Sequence, residues 1–281
     1  MDEIKEKWNV LEWRNIYRGV LMGVSNIIPG VSAGTIALVL GIYDQLIVSI
    51  SDFFSAKWRQ TLGFLVPLGI GIVGAIVAFG GLITWLLTNH EQPTQFFFLG
   101  LIIGVIPLLF KQSDMKEKFT IAHYSVLGVT GILIGFLGFM NPDAAAVVHE
   151  LTLLNGVWFF VAGWIASMSL LLPGISGALV LILFGVYYTA MSAISTLDFA
   201  VISVIGAGVV VGFVVSSKFI KYLLNHFPYM TYAAIIGLLL GSLIIVYPGF
   251  SAGPAAIFPS IITFIAGTAT AILLGARNTN V

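Results

Sequence analysis

The stretch that decides the fold is Ser25–Tyr43, SNIIPGVSAGTIALVLGIY, an apolar segment with Pro-Gly near its start. The chain repeats it 144 residues later as Ser169–Tyr187, SLLLPGISGALVLILFGVY, without a gap. Over the twenty positions that begin at Ser25 and Ser169, six are identical, and most others exchange one aliphatic residue for another. Two copies at a fixed offset indicate an internal duplication.

The Pro-Gly pair predicts that each copy is a broken helix. Pro29 and Pro173 lack a backbone N–H and clash with the preceding turn, so a helix must end or kink there. The glycine that follows allows the backbone to turn sharply. Ser32, three residues before Thr35, is then predicted to cap the next helix, and Ser176 to do the same in the second copy.

The lengths of the two limbs of each copy favour a re-entrant hairpin over a spanning helix. In the first copy the limbs Gly19–Pro29 and Ser32–Ile42 have 11 residues each, which corresponds to roughly 16 Å of helix. The hydrocarbon core of a bilayer is about 30 Å thick, so each limb reaches only the midplane. A kink in one spanning helix is the alternative.

The composition excludes a soluble domain. Of 281 residues, 59% are hydrophobic and 9% charged, and the mean hydropathy is +1.06. These values indicate a polytopic all-α membrane protein. The absence of cysteine excludes disulfides, a thiol nucleophile and Cys-ligated metals. The segment before Gly19 carries charges of both signs and is predicted to be an interfacial amphipathic helix anchored by Trp8, Trp13 and Tyr17.

Six further apolar segments complete two equivalent halves. They are Leu62–Leu87, Phe96–Phe110, Thr120–Met140, Phe199–Leu224, Met230–Tyr247 and Ile257–Leu274. The repeat continues here at an offset of 137, which pairs Gly69, Gly71, Gly100 and Gly104 with Gly206, Gly208, Gly237 and Gly241. We therefore expect residues 1–140 and 156–281 each to form one hairpin and three transmembrane helices, together making a single integrated membrane domain.

The basic residues predict the orientation, because cytoplasmic loops collect Lys and Arg. If the N-terminus is cytoplasmic and both hairpins re-enter, all 12 basic residues lie on the cytoplasmic side. The opposite loops have none; they lie around His90, Pro142, Ser195 and Ser251. If the hairpins spanned instead, Lys57 and Arg59 would lie across the membrane from Arg14 and Arg18. The pattern favours re-entrance and places both termini in the cytoplasm.

Each half crosses the membrane three times, an odd number, so the second half is predicted to lie in the membrane with the opposite orientation to the first. This inverted-topology repeat is typical of secondary transporters that bind substrate near the midplane, between the repeats. The two Pro-Gly tips should meet there, where helix N-termini favour an anion and phosphate in particular. The candidate phosphate-binding residues are Ser25, Asn26, Gly30, Ser32, Gly34, Thr35, Ser169, Gly174, Ser176 and Gly177. For Asn26, satisfying local backbone groups is an equally good interpretation.

The two motifs, PGVSAGT followed by LGIYD and PGISGA followed by FGVY, resemble those of the bacterial polyprenyl-phosphate transporter family. The resemblance covers nearly the whole chain. It implies translocation of undecaprenyl phosphate from the outer to the inner leaflet of the plasma membrane, which recycles the lipid carrier of cell-wall synthesis. The family motifs usually read PGVSGGT and PGISGS, so Ala33 and Ala178 depart from them, and Ala178 removes a hydroxyl.

Charge is sparse at the proposed site. The repeat places no Lys or Arg at the midplane, and Arg14 and Arg18, at the cytoplasmic root of the first hairpin, are the candidates to receive a phosphate. Ala162 stands at the position equivalent to Arg18. Asp44 either pairs with Arg18 at the mouth of the hairpin or is an ordinary charge at a helix end.

Other functions stay open on the sequence alone. An ion or small-anion channel or exchanger would use the same midplane dipoles, and a structural membrane protein would use neither serine. Gly174–Gly177 matches the short motif of intramembrane serine proteases, but His226 is predicted to lie far from Ser176. We expect no enzymatic activity, cofactor, metal or nucleic acid. The expected partners are the polyprenyl-phosphate lipid and membrane lipids, and a homodimer is compatible with the sequence.

Overall fold

The computed structural model describes residues 11–27, 31–53, 55, 57–113, 115–139, 151–250 and 253–278. Pro29 and Gly30, predicted to break the first hairpin, lie outside these ranges, and so does Trp8 of the predicted N-terminal helix. All regular secondary structure within the described ranges is helical, as the sequence predicts.

The helices follow the order of the two repeats. In the first half they are α1 Arg14–Asn26, α2 Ala33–Val39, α3 Tyr43–Phe53, α4 Trp58–Asn89, α5 Glu91–Gln112, α6 Met115–Lys118 and α7 Ile121–Phe139. In the second half they are α8 Leu153–Leu171, α9 Gly177–Leu183, α10 Tyr187–Thr196, α11 Phe199–His226, α12 Pro228–Val246 and α13 Pro254–Asn278. The offsets of the repeat therefore pair α1 to α3 with α8 to α10, and α4, α5 and α7 with α11 to α13.

Seven helices of the described chain are long and apolar enough to cross a bilayer, and the protein is a multi-pass membrane protein. Six of them, α4, α5, α7, α11, α12 and α13, correspond to the predicted spans. The seventh is α8, the first limb of the second hairpin, which has 19 residues and begins at Leu153, slightly before the expected start of this hairpin at about Val157. The helix begins there because Thr152 caps it by accepting a hydrogen bond from the backbone N–H of Asn155. At roughly 28 Å this limb is as long as a span.

The first hairpin also begins earlier than the sequence suggests. The predicted boundary at Gly19 falls inside α1, which runs unbroken from Arg14 to Asn26. Trp13 and Tyr17 are exposed, as side chains that anchor a helix at a membrane interface must be. The interfacial segment and the first limb are therefore parts of one continuous helix.

Both hairpins end in the same elbow. Gly41 and Gly185 have φ values of 64° and 68°, in the left-handed region that favours glycine. The N–H of the following residue bonds to the carbonyl five positions back, at 2.9 Å for Ile42 and 2.8 Å for Val186. This arrangement is a Schellman motif, which ends one helix and redirects the chain. In both halves a further helix follows, α3 or α10, which the sequence analysis did not predict.

Equivalent glycines hold equivalent helix pairs together. A Cβ atom on Gly19 would overlap the carbonyl oxygen of Leu68, so α1 and α4 are in backbone contact. In the second half, a Cβ atom on Gly163 would lie 2.5 Å from the carbonyl oxygen of Ile205. Gly163 and Ile205 are the repeat equivalents of Gly19 and Leu68, so α8 and α11 pack in the same way as α1 and α4.

The last two helices of each half pack across the repeats. Gly100 of α5 lies against the carbonyl of Phe264 in α13, and Gly237 of α12 lies against the carbonyl of Leu127 in α7. These four residues are again repeat equivalents. Each half thus packs its middle span against the final span of the other half. The inversion of the halves in a membrane, and the division at residues 140 and 156, stay predictions.

Candidate functional site

The first turn of α2 is held by its own side chains. We call the residues around it, Asn26 and Ser32–Thr35, the first tip. The Ser32 hydroxyl oxygen accepts from the backbone N–H of Thr35 at 3.2 Å, which confirms the predicted N-cap. The side-chain amide oxygen of Asn26 accepts from the backbone N–H of Ala33 at 3.0 Å. Two of the N–H groups that would face a ligand are therefore already paired with protein atoms.

The second tip, Leu172–Ser176, is bonded directly to the first. The N–H of Gly174 donates to the Thr35 hydroxyl at 3.0 Å. The Thr35 and Ser32 hydroxyls are 3.1 Å apart, and the Ser32 hydroxyl donates to the carbonyl of Leu172 at 3.2 Å. Since Ser32 donates to Leu172, Thr35 must be the donor to Ser32. The hydrogen bonds run in one continuous chain from the Gly174 N–H through Thr35 and Ser32 to the Leu172 carbonyl. The two hairpins therefore meet, as the sequence predicts.

Glycine is required where the two tips touch. A Cβ atom on Gly34 would lie 3.0 Å from the carbonyl oxygen of Leu171 and 3.2 Å from the nitrogen of Pro173. Gly174 has a φ of 86°, and a Cβ atom there would lie 2.6 Å from the carbonyl oxygen of Leu238 in α12. Pro173, between these two contacts, is buried. The second tip is thus wedged between α2 and α12.

The first turn of α9 differs from that of α2. Ser176 occupies the N-cap position with extended backbone, but its hydroxyl caps none of the first N–H groups of α9, so this part of the prediction is wrong. Leu179 stands where Thr35 stands in the first copy, and the second copy lacks the hydroxyl that holds Ser32 in place. Gly177 is buried, whereas Ala178 is exposed. Of the two helix starts, α9 is the one with amides that no side chain caps.

Ser25 and Ser169 make the same bond in the two copies. Ser25 donates to the carbonyl of Met22 at 2.7 Å, and Ser169 donates to the carbonyl of Ala166 at 2.7 Å. Both serines are buried. Their protons are committed to their own helices, so in this conformation neither hydroxyl donates to a ligand as expected from the sequence.

Asp44 does not pair with Arg18, which was one of the two alternatives that the sequence left open. Arg18 donates to the side-chain oxygen of Asn15 at 2.8 Å, and Arg14 is exposed. Asp44 instead accepts from the Tyr232 hydroxyl at 3.4 Å. Burial raises the pKa of Asp44, and the hydrogen bond from Tyr232 opposes that rise. Asp44 therefore joins α3 to α12 rather than to α1.

An ion pair missed by the sequence analysis joins α3 to α11. Lys221 and Asp52 lie 2.6 Å apart, and both side chains are about three-quarters buried. Their repeat equivalents are Thr84 and Thr196, so the duplication gave no indication of the pair. The predicted orientation did place both residues on the cytoplasmic side. The presence of an acidic and a basic residue on the same predicted side of the membrane was the one signal in the sequence that was compatible with this ion pair.

Tyr43 is buried near Asp44 and Tyr232. Its hydroxyl makes no hydrogen bond, and burial together with the neighbouring Asp44 carboxylate raises its pKa. Tyr43 also lines a cavity of about 300 Å³ with otherwise apolar walls that include Leu172, Ile220 and Leu238. Because Leu172 belongs to the second tip, this apolar cavity lies immediately beside the point where the hairpins meet.

Known proteins resemble this chain along most of its length. The model of an undecaprenyl phosphate translocase-like family matches residues 22–258. A polyprenyl-phosphate transporter of Staphylococcus aureus is 44% identical over 273 residues, covering 94% of this chain and 96% of the relative. A polyprenyl-phosphate transporter of Vibrio cholerae is 30% identical over 245 residues, covering 82% of this chain and 76% of the relative. No solved structure matches the chain.

Proposed function

The chain belongs to the undecaprenyl phosphate translocase-like family, and from that premise we propose that it moves undecaprenyl phosphate from the outer to the cytoplasmic leaflet of the plasma membrane. The returned lipid is then used again in the synthesis of cell-wall polymers. The names of the two relatives support a lipid-carrier transporter. The direction and the fate of the lipid are part of the proposal.

The observation that carries the proposal is a difference in capping: side chains cap the first N–H groups of α2 but not those of α9. The α2 amides are paired with Ser32 and Asn26, whereas the first turn of α9 has no side-chain cap. We assign the phosphate to this turn, with the Ser176 hydroxyl and the N–H groups of Gly177 and Ala178 as donors. A helix N-terminus supplies both unpaired donors and partial positive charge.

The remaining residues of the predicted site serve to position the tips. Ser32 and Thr35 hold the second tip through the hydrogen-bond chain, and Gly34 and Gly174 allow the close approach. Pro29 and Gly30, outside the described residues, are proposed to break the first hairpin as Pro173 and Gly174 break the second. Ser25 and Ser169 stabilise the ends of their own helices.

The isoprenoid tail needs an apolar environment while the phosphate is bound. The cavity beside Leu172 has about 300 Å³ of space and walls of aliphatic and aromatic side chains. Burying an isoprene unit there is favourable, since each buried CH₂ contributes about 0.8 kcal/mol. We assign the first units of the tail to this cavity. Arg14 and Arg18, on the predicted cytoplasmic face, then attract the phosphate as it leaves.

Leaflet exchange in liposomes tests the proposal. Purified protein is reconstituted with labelled undecaprenyl phosphate, and the accessible fraction of label is followed over time. We expect Ser176→Ala to slow exchange about tenfold, the loss of one hydrogen bond to a charged group of roughly 1.5 kcal/mol. Ser125→Ala is the matched control, because Ser125 is exposed, lies outside both hairpins and donates to the Ile121 carbonyl of its own helix.

The same liposomes separate a translocase from a channel. A channel or exchanger for small anions would pass chloride or inorganic phosphate without moving the labelled lipid. A translocase exchanges the lipid and passes neither chloride nor inorganic phosphate. Ion flux without lipid exchange, or equal lipid exchange by wild type and Ser176→Ala, would contradict the assignment of the site.

A further inference from the structure

Two repeat-equivalent segments are packed very differently in this structure. We call α2 with α3, Ala33–Phe53, the first arm, and α9 with α10, Gly177–Thr196, the second arm. In α2 every residue from Gly34 to Val39 is buried. In α9 only Gly177 and Val180 are buried. The first arm is docked into the core, and the second arm is not.

The partners of the two arms show the same difference. Helix α3 packs along α11 of the other half, whereas α10 makes no comparable contact with α4, the repeat equivalent of α11, among the described residues. Ile47 of α3 is fully buried, while its equivalent on α10, Met191, is 43% exposed. Ala190 and Ala193, the equivalents of Leu46 and Ser49, are buried, so the uncovered part of this face lies at Met191 and Ser195.

Specific polar contacts fasten the docked arm. Asp52 pairs with Lys221 of α11, and Asp44 accepts a hydrogen bond from Tyr232 of α12. The equivalents of Asp44 and Tyr232 are Tyr188 and Gln95. Tyr188 is 44% exposed, and Gln95 bonds to Glu91 of its own helix. Tyrosine and glutamine form a complementary hydrogen-bonding pair, although they are not bonded in this structure.

The arms differ in position and not in internal shape at their elbows. Gly41 and Gly185 have nearly the same φ. Their N–H groups bond to the carbonyls three residues back at 2.9 Å for Gly41 and 2.8 Å for Gly185. A docked and an undocked arm with the same elbow differ by a rigid-body displacement.

We propose that the two arms dock in alternation, so that this structure is one of two states of a transport cycle. In the other state the second arm docks, α10 packs along α4, Tyr188 meets Gln95, and the first arm leaves α11. The proposal rests on the proposed function and deepens it. In the predicted orientation the docked first arm closes the cytoplasmic side, while the second arm is undocked on the outer side. Internal repeats that exchange conformations produce alternating access in this way.

The chain suits a test by cross-linking because it contains no cysteine. The variant Asp52→Cys/Lys221→Cys reports the present state, and Gln95→Cys/Tyr188→Cys reports the other. A short bismethanethiosulfonate reagent joins each pair in liposomes. Gln92→Cys/Ser260→Cys is the control pair, since these side chains are 3.1 Å apart across α5 and α13. The packing of α5 on α13 has an equivalent in the packing of α12 on α7, so it should be the same in both states.

We expect each state-specific cross-link to stop leaflet exchange of undecaprenyl phosphate and reduction to restore it, while the control cross-link leaves exchange unchanged. In the quadruple variant, cross-linking Asp52→Cys to Lys221→Cys should prevent the second link in the same molecule. Formation of both links in one molecule, no link between Gln95→Cys and Tyr188→Cys with or without lipid, or full exchange by the cross-linked protein would overturn the proposal. Mutually exclusive links in a protein that does not move the lipid would refute only the proposed function.

Discussion

Gly174 donates its backbone N–H to the side-chain hydroxyl of Thr35, 139 residues earlier in the chain, at a distance of 3.0 Å. The bond joins the broken helices of the two repeats and begins the chain that passes through Ser32 to the carbonyl of Leu172. Only the first repeat has a threonine at this position, because Leu179 replaces it in the second. The Thr35 hydroxyl, present in one repeat only, therefore joins Ser32 in fastening the two hairpins.

Thr35→Val should destabilise the protein. Valine has almost the same shape but cannot accept the Gly174 N–H or donate to Ser32, and an unpaired buried donor costs about 1–3 kcal/mol. Thermal unfolding in detergent should show a lower melting temperature. Thr35→Ser keeps the hydroxyl and should recover most of the loss. Unfolding of Thr35→Val at the wild-type temperature would show that the bond does not form.

Gly174→Ala should be poorly tolerated. Its φ of 86° disfavours a side chain, and a Cβ atom would lie 2.6 Å from the carbonyl oxygen of Leu238. We expect reduced yield of folded protein and slower lipid exchange. Gly206→Ala is the matched control, because a Cβ atom there meets nothing within 4 Å. Alanine inside a helix is favoured over glycine by about 1 kcal/mol, so this control should fold at least as well as wild type.

Ser32→Ala and Ser176→Ala should separate stability from transport. Ser32 caps α2 and accepts from Thr35, and loss of such a cap costs about 0.5–2 kcal/mol. Ser176 occupies the same position without a cap bond, so its replacement should leave the melting temperature unchanged. Comparing unfolding curves of the two variants tests this difference. Equal destabilisation would mean that both serines cap their helices.

Asp44→Asn should alter the dependence of stability on pH. Burial raises the pKa of Asp44 in the folded protein, so the folded state holds this proton more strongly than the unfolded state. Protonation of Asp44 contributes its full stabilisation of the folded state below the ordinary pKa of an aspartate. This stabilisation is lost as the pH rises through the raised pKa of Asp44 in the folded protein. Asp44→Asn has no such proton. It should lose less stability than wild type over this range in unfolding measurements, and identical pH profiles would contradict the assignment.

Much of the fold follows from the duplicated motif. The break at Pro173-Gly174, the N-cap by Ser32 and the contact between the tips all follow from backbone chemistry that short sequences encode. No helix was predicted after Gly41 or Gly185, because the stretch that follows the first elbow ends in the polar residues Ser51–Gln60. The start of α8 was missed because its cap, Thr152, lies outside the motif.

The site was less predictable than the fold. Ser32 and Ser176 have nearly the same neighbours in sequence, yet one is bonded across the interface and the other is not. Part of the difference is local, since Leu179 replaces Thr35 in the second copy. The rest depends on the contact of Ser32 with Leu172 of the other half, which the local sequence of a repeat does not contain. Contacts such as Asp44 with Tyr232, 188 residues apart, have no counterpart in the other half and leave no trace in the repeat.

Each half packs its middle span against the final span of the other half, and this constrains how the protein is made. The Thr263 hydroxyl in α13 donates to the carbonyl of Pro93 in α5, 170 positions earlier. Gly100 of α5 also packs against α13. On the ribosome, α5 is synthesised long before the helix that covers its glycines exists. Insertion must therefore leave α5 provisionally surrounded by lipid or by a membrane chaperone, and a nascent chain truncated before α13 should be a target for quality-control proteolysis.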